Sequence, residues 1–156
     1  VTTTGVRLEA TIDDAAVRAA LADLARRGAD LSEPMDDIAA YLEASTTDRF
    51  LSGQVGPDGR PWPPSDRARR EGGKTLVDKG AQGGLLGSLT STSSALEAVV
   101  GVAKPYAAIH QLGGRAGRGG QTEILARPYL GLSAEDEREV TSILEDWLGQ
   151  VPGVSA

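Results

Sequence analysis

The chain predicts an α+β fold: a small antiparallel sheet packed against two amphipathic helices, with long projecting loops. Three observations carry that expectation. Apolar residues recur at helical spacing in two places, at Met35, Ile38, Leu42 and Phe50 and again at Val140, Ile143, Leu144, Trp147 and Leu148. Between them, "GSLTSTSSALEAVVGV" (87–102) offers two runs rich in Thr, Ser and Val that meet near Ser94 and Ala95, the composition of a β-hairpin. The stretches separating these elements are dense in glycine and proline and follow neither period. A length of 156 residues suits one domain, expected over 1–150, with a short tail over 151–156.

In chain order, "VRLEATID" (6–13) alternates Val6, Leu8, Ala10 and Ile12 with Arg7, Glu9, Thr11 and Asp13, the period of a half-buried strand. Asp13 or Asp14 then caps a short helix carrying Val17, Leu21 and Leu24, which closes at Arg26, Arg27 and Gly28. A longer helix begins near Asp30, where Asp30 and Glu33 resemble a capping box and Pro34 is tolerated in the first turn; Gly53 ends it. "GQVGPDGRPWPPSDRARREGGKT" (53–75) contains a turn signal at Pro57, Asp58 and Gly59, and its prolines block both helix and central strand. It reads as a long ordered excursion.

After the hairpin, whose Val99, Val100 and Val102 are expected to be buried, Pro105 opens a short helix over Tyr106, Ile109, His110 and Leu112 with Gly113 as its stop. "GRAGRGGQT" (114–122) reads as a flexible loop, followed by an extended piece from Glu123 to Arg127. Ser133 and Asp136 open the final helix, which is expected to pack on the sheet.

The chemistry this chain can host is narrow. It has no cysteine, which removes disulfides, thiolate zinc sites and cysteine nucleophiles. A serine hydrolase would need His110, the single histidine, beside a nucleophile elbow, and no G-x-S-x-G exists. A zinc site would rest almost wholly on carboxylates, yet Asp36 with Asp37, and Glu135 with Asp136 and Glu137, sit where they favourably meet helix dipoles. "GGKT" (72–75) lacks the leading glycine of a phosphate-binding loop, position 68 being alanine, and "GGRAGRGG" (113–120) does not follow the dinucleotide pattern. No catalytic, cofactor-binding or metal-binding residue is expected, and no enzymatic activity. No apolar run approaches the roughly 20 residues that span a bilayer, so no membrane association is expected and the chain should be soluble in the cytoplasm where it is made.

Charge is more informative. The formal net charge is −6. From Gly53 to Pro128 ten Lys or Arg face six Asp or Glu, net +4, whereas the two flanks hold six against sixteen, net −10. Such a dipole can steer head-to-tail association of copies or docking on an acidic partner. The candidate partner-binding residues are Arg67 and Arg70, clustered with Arg69 and Lys74, and Arg115 and Arg118 on the glycine-rich stretch.

Three stretches, "RFLSGQVGPDGRPWPP" (49–64), "PYAAIHQLGG" (105–114) and "ILARPYLGLSAEDEREVTSILEDWL" (124–148), have a common resemblance. Their blocks are a phenylalanine-ended helix, a G-P-x-G-x-x-W turn, a Tyr-Ala-x-x-His-x-x-Gly-Gly helix and an Ala-Arg-Pro-aromatic-Leu-Gly-x-Ser step into the last helix. In this order and spacing, over residues 30–148, the chain resembles the phage virion morphogenesis family, the tail-completion proteins of Mu-like and related tailed phages. It departs from the family at "KGAQGGLLGSL" (79–89), where Thr-Gly-x-Leu is common.

The resemblance implies a structural virion protein without catalytic residues, acting at the neck or tail end in head–tail joining and present in the host cytoplasm during assembly. Its implied partners are copies of itself in a ring, neighbouring head-connector and tail-terminator or tail-tube proteins, and genomic DNA passing through the lumen without sequence-specific binding. It also implies structural anchors: Trp62 docking the excursion, Tyr106 and His110 in the short helix, and Arg127 and Pro128 at the entry to the last helix. The His110 imidazole is expected to bond a backbone group or a carboxylate. In a ring, the basic middle of one subunit would face the acidic flank of the next, with Arg115 and Arg118 at a protein interface. The alternative is a small phage DNA-binding or nuclease-associated factor using the basic middle, against which the net acidity counts.

Overall fold

A computed structural model describes residues 18–19, 21–22, 30–77 and 83–150. The strand expected over 6–13 and the tail over 151–156 lie outside the described residues; of the first short helix, Arg18, Ala19, Leu21 and Ala22 are described and are helical. The fold is α+β.

Helix α1 spans Ser32–Asp48. The Asp30 carboxylate accepts from the Ser32 N–H at 2.9 Å and from its hydroxyl at 2.6 Å, satisfying one backbone donor that the helix leaves open. Glu33 does not complete a capping box; it accepts from the Trp147 indole N–H at 3.4 Å instead. The helix runs into a π-turn, Arg49–Gly53, and terminates one residue beyond the expected glycine, where Gln54 takes a left-handed conformation (φ 50°, ψ 33°). The wider turn shifts the phase of the apolar stripe. Phe50 therefore leaves the face of Met35 and Ile38 and enters a different core.

Strands β1 (Leu89–Ser94) and β2 (Glu97–Val102) form the expected hairpin, with Leu89 opposite Val102 and Ser94 opposite Glu97. The Ser91 and Ser93 hydroxyls donate to Glu43 and Asp36 of α1, fixing which face of the hairpin meets the helix. Val102 is buried, but Val99 and Val100, also expected inside, are half-buried, because the described sheet has only these two strands to cover them.

The last helix, α4 (Ala134–Gln150), sets Val140 and Leu144 against Leu31, Met35 and Ile38 of the α1 region. It was expected to pack on the sheet; it packs chiefly on α1, with Ala98 of β2 at the margin of that cluster. The hairpin is already covered by α1, which packs along both of its strands, so the apolar stripe of α4 meets α1 instead. The second core gathers Phe50, Trp62, Leu85, Leu86, Leu89, Val102, Ala107 and Tyr129 beneath the loops.

Two elements in this loop region were not foreseen. Within the excursion, Ser65 caps a short helix α2 (Asp66–Glu71), its hydroxyl accepting from the Ala68 N–H at 3.1 Å. The short helix α3 (Ala107–Leu112) ends at Gly113 as expected. The stretch after it, read as a flexible loop, is instead a paired ribbon of β3 (Gly114–Ala116) and β4 (Thr122–Ile124), turned through Gly117, Gly119 and Gly120.

Candidate functional site

The blocks singled out in the sequence are far apart along the chain, and the fold brings them together around one extended segment, Ala126 to Gly131. Its backbone is held almost entirely by side chains from elsewhere. Arg49, at the end of α1, donates to the carbonyls of Tyr129 (3.0 Å) and Gly131 (2.8 Å). Trp62 donates from its indole to the Pro128 carbonyl at 2.8 Å. Gln111 of α3 accepts from the N–H groups of Tyr129 (2.9 Å) and Leu130 (3.0 Å) and donates to the Leu130 carbonyl (2.9 Å). The Arg127 N–H donates to the His110 carbonyl at 2.8 Å, and the Tyr129 hydroxyl to the Ala107 carbonyl at 3.0 Å. A buried irregular segment must have such partners, since each open backbone group would cost about 1–3 kcal/mol.

Two glycines make the approach possible. A Cβ at Gly113 would lie 2.9 Å from the Ala126 nitrogen, and one at Gly131 would lie 2.9 Å from the Pro57 ring. Both positions also have positive φ, 76° and 140°.

At the centre lies a buried ion pair between Arg49 and Asp136, 7% and 1% exposed. Asp136 also accepts from Tyr41 and Ser45 of α1 and from the Ser133 N–H and hydroxyl, so one carboxylate joins α1, the segment and the start of α4. Burial by itself would raise its pKa. The hydrogen bonds from Ser45 and Ser133, with the Arg49 guanidinium, outweigh that and hold it below the ordinary carboxylate value. The Tyr129 phenol is pushed up to about 12 by burial, keeping it a proton donor at neutral pH. Arg127 donates to the carbonyls of Pro63 (2.6 Å), Leu125 (3.2 Å) and Pro64 (3.4 Å), fastening the excursion to the segment.

His110 differs from expectation. Its Nδ1 is buried and has no hydrogen-bond partner among the described residues, and the nearby charge is the Arg127 guanidinium, not a carboxylate. The Tyr106 ring stands edge-on to it, centroids 6.0 Å apart. A guanidinium has no acceptor to offer, so the expected bond to a carboxylate is not made. Burial first, and the Arg127 charge second, lower its pKa from 6.5, so it is neutral in the fold. A histidine depressed in the folded state contributes stability that is fully present above pH 6.5 and lost as the pH falls from there through the depressed folded value, since the unfolded chain binds the proton more readily. Urea unfolding followed from pH 7.5 down to pH 5 should show this loss in the parent chain and a flatter profile in His110→Gln. Identical profiles would contradict the assignment.

The candidate partner-binding arginines divide into two kinds. Arg67 is engaged within the chain, donating to the carbonyls of Lys74 and Val77. Arg70 is exposed on α2, where Arg69 also lies, its pair with Asp66 exposed at 3.8 Å. Arg115 and Arg118 are exposed on the β3–β4 ribbon, Arg115 directly opposite Glu123. The residues missed from sequence are Arg49, Gln111 and Gln54, the last bridging Phe50 and Thr75. The only signal available was their place inside the recurring blocks.

Among the described residues no group of three or more His, Asp or Glu side chains is placed to hold a metal ion, and no helix is long and apolar enough to cross a membrane. The polar cluster is turned inward on backbone carbonyls and amides. It is a clamp that fixes where the ribbon and α2 emerge.

A model of the phage virion morphogenesis family matches residues 12–149. The Mu-like prophage FluMu G protein 2 of Haemophilus influenzae is 38% identical over 132 residues, covering 84% of this chain and 88% of that protein. The FluMu G protein 1 of the same organism is 31% identical over 111 residues, 67% of this chain and 70% of its own length. No solved structure matches the chain significantly.

Proposed function

The chain belongs to the phage virion morphogenesis family and has a structural role in building a phage particle, and from that premise we propose that it completes the tail or joins head to tail at the neck, as one subunit of a ring. The observation that supports this reading is the clamp around Ala126 to Gly131. It holds a ribbon and a short helix rigidly at the surface, both bearing exposed arginines, which is how an assembly protein presents contacts to neighbours. The partners are copies of itself and the adjoining head-connector and tail-terminator or tail-tube proteins.

Genomic DNA passes through the lumen without sequence-specific binding. A wall rich in Lys and Arg would retain DNA by many phosphate contacts. The outer face of α4 carries Glu135, Glu139, Glu145 and Asp146 against one cation, Arg138, all exposed, and its net acidity suits a non-adhesive wall.

The test is a phage carrying Arg115→Glu with Arg118→Glu, two exposed sites whose reversal leaves the clamp intact. Electron microscopy of the lysate should show DNA-filled heads and separate tails accumulating unjoined. Normal joined particles would refute the role of the ribbon. Empty heads beside normal tails would support the DNA-binding alternative.

A further inference from the structure

We propose that the groove between α1 and β1 is the seat of the β3–β4 ribbon of a second copy of this chain. The inference rests on the ring reading above and names the two surfaces that meet.

The groove has a volume of about 480 Å³ and is lined by Ala40, Glu43, Ala44, Thr47, Asp48 and Leu51 of α1 and its π-turn, with Ser91 of β1 opposite. Ala40, Ala44 and Thr47 fall at i, i+4 and i+7, one line along the helix. Small side chains on that line leave the floor open. Glu43 and Asp48 supply its charge, and Glu43 is held toward the strand by the Ser91 hydroxyl. No cation on this helix balances them: the basic residue that follows, Arg49, is buried and paired with Asp136.

The ribbon has the complementary shape, and its two arginines against one exposed acid, Glu123, leave it net positive. Four of its eleven residues are glycine, so it is slender, and three-residue arms project it about 10 Å from the body. Arg118 lies in the turn and Arg115 on the first arm, both exposed. At the base of the ribbon Leu112 is 69% exposed and Leu125 43% exposed, large apolar side chains that docking would cover. Opposite charge on two different faces of one chain gives a head-to-tail contact, which closes into a ring when the rotation per subunit permits.

Sedimentation velocity of the purified full chain at low salt tests the pairing. Glu43→Lys with Asp48→Lys in one variant, and Arg115→Glu with Arg118→Glu in another, should each weaken self-association at least tenfold, and an equimolar mixture of the two should restore it. As an independent readout, the cysteine-free background allows Ala44→Cys with Gln121→Cys, which on oxidation should give a ladder of disulfide-linked multimers.

A wild-type chain that stays monomeric at every concentration would overturn the ring reading together with this interface. Self-association that both reversals leave unchanged, with no ladder, would overturn the interface alone. Reversals that weaken association without rescue on mixing would show that the groove and the ribbon each meet some other surface of the neighbouring copy, and would also overturn the proposal.

Discussion

Asp136→Ala is expected to remove about 4 kcal/mol of folding stability, the largest effect of any single polar substitution in this chain, because it leaves the Arg49 guanidinium buried without its counter-charge. The carboxylate does several things at once. It pairs with Arg49, accepts from Tyr41 and Ser45 of α1, and caps the first turn of α4 through Ser133. Urea unfolding measures the loss; a change below about 1 kcal/mol would show that the pair is no more than a surface-like contact. Replacing both partners, Arg49→Met with Asp136→Leu, should recover only part of it. The charge penalty disappears, but the Tyr129 and Gly131 carbonyls still lose the donors that Arg49 gave them. The pH dependence has a definite sign. The folded pKa of Asp136 lies below 3.8, so its contribution is complete above that value and disappears as the pH falls through the depressed one. The acid limb of the stability curve should therefore shift in Asp136→Ala.

Much of this architecture is local and could be read from local pattern. The stripe from Val140 to Leu148 places α4, and the Ser133 hydroxyl accepts from the Asp136 N–H at 3.1 Å as a capping sequence requires. The hairpin turns at Ala95 and Leu96, where the two Thr, Ser and Val runs meet. What was not legible depends on contacts between distant residues. Asp136 reads as one more acid at a helix N-terminus; nothing near it in sequence reveals that Arg49 will lie against it. The stretch 114–122 has the composition of a loop, and pairs only because the close approach at Gly113 aligns β3 beside β4. Proline-rich surroundings hide α2, whose six residues have no room for a period. The recurring blocks marked the right residues without saying why. The fold supplies the reason, since Arg49, Trp62 and Gln111 each come from a different block and hold the segment of the fourth, with Asp136 just beyond it pairing with Arg49.

Trp62→Ala is expected to cost about 4 kcal/mol, although the residue sits in an excursion between prolines. The indole is 5% exposed and packs edge-on against Phe50, with centroids 5.5 Å apart and planes at 68°. Phe50 in turn lies 5.3 Å from the Tyr129 ring, so the three aromatics form one cluster at the junction of α1, the excursion and the clamped segment. Truncation opens a cavity in that cluster and leaves the Pro128 carbonyl without its donor. The two losses separate with a second variant. Trp62→Phe retains most of the apolar contact and removes only the hydrogen bond, so it should cost about 1–2 kcal/mol. If the excursion were an independent loop lying on a finished body, both variants would leave the main unfolding transition where it is. A shared shift, larger for alanine, follows if the indole is a structural part of the core, because the aromatic cluster cannot loosen at Trp62 without loosening at Phe50 and Tyr129. Thermal unfolding followed by far-ultraviolet circular dichroism, whose helical signal comes chiefly from the 17-residue helices α1 and α4, distinguishes the two, and an unchanged midpoint for Trp62→Ala would reject the anchor.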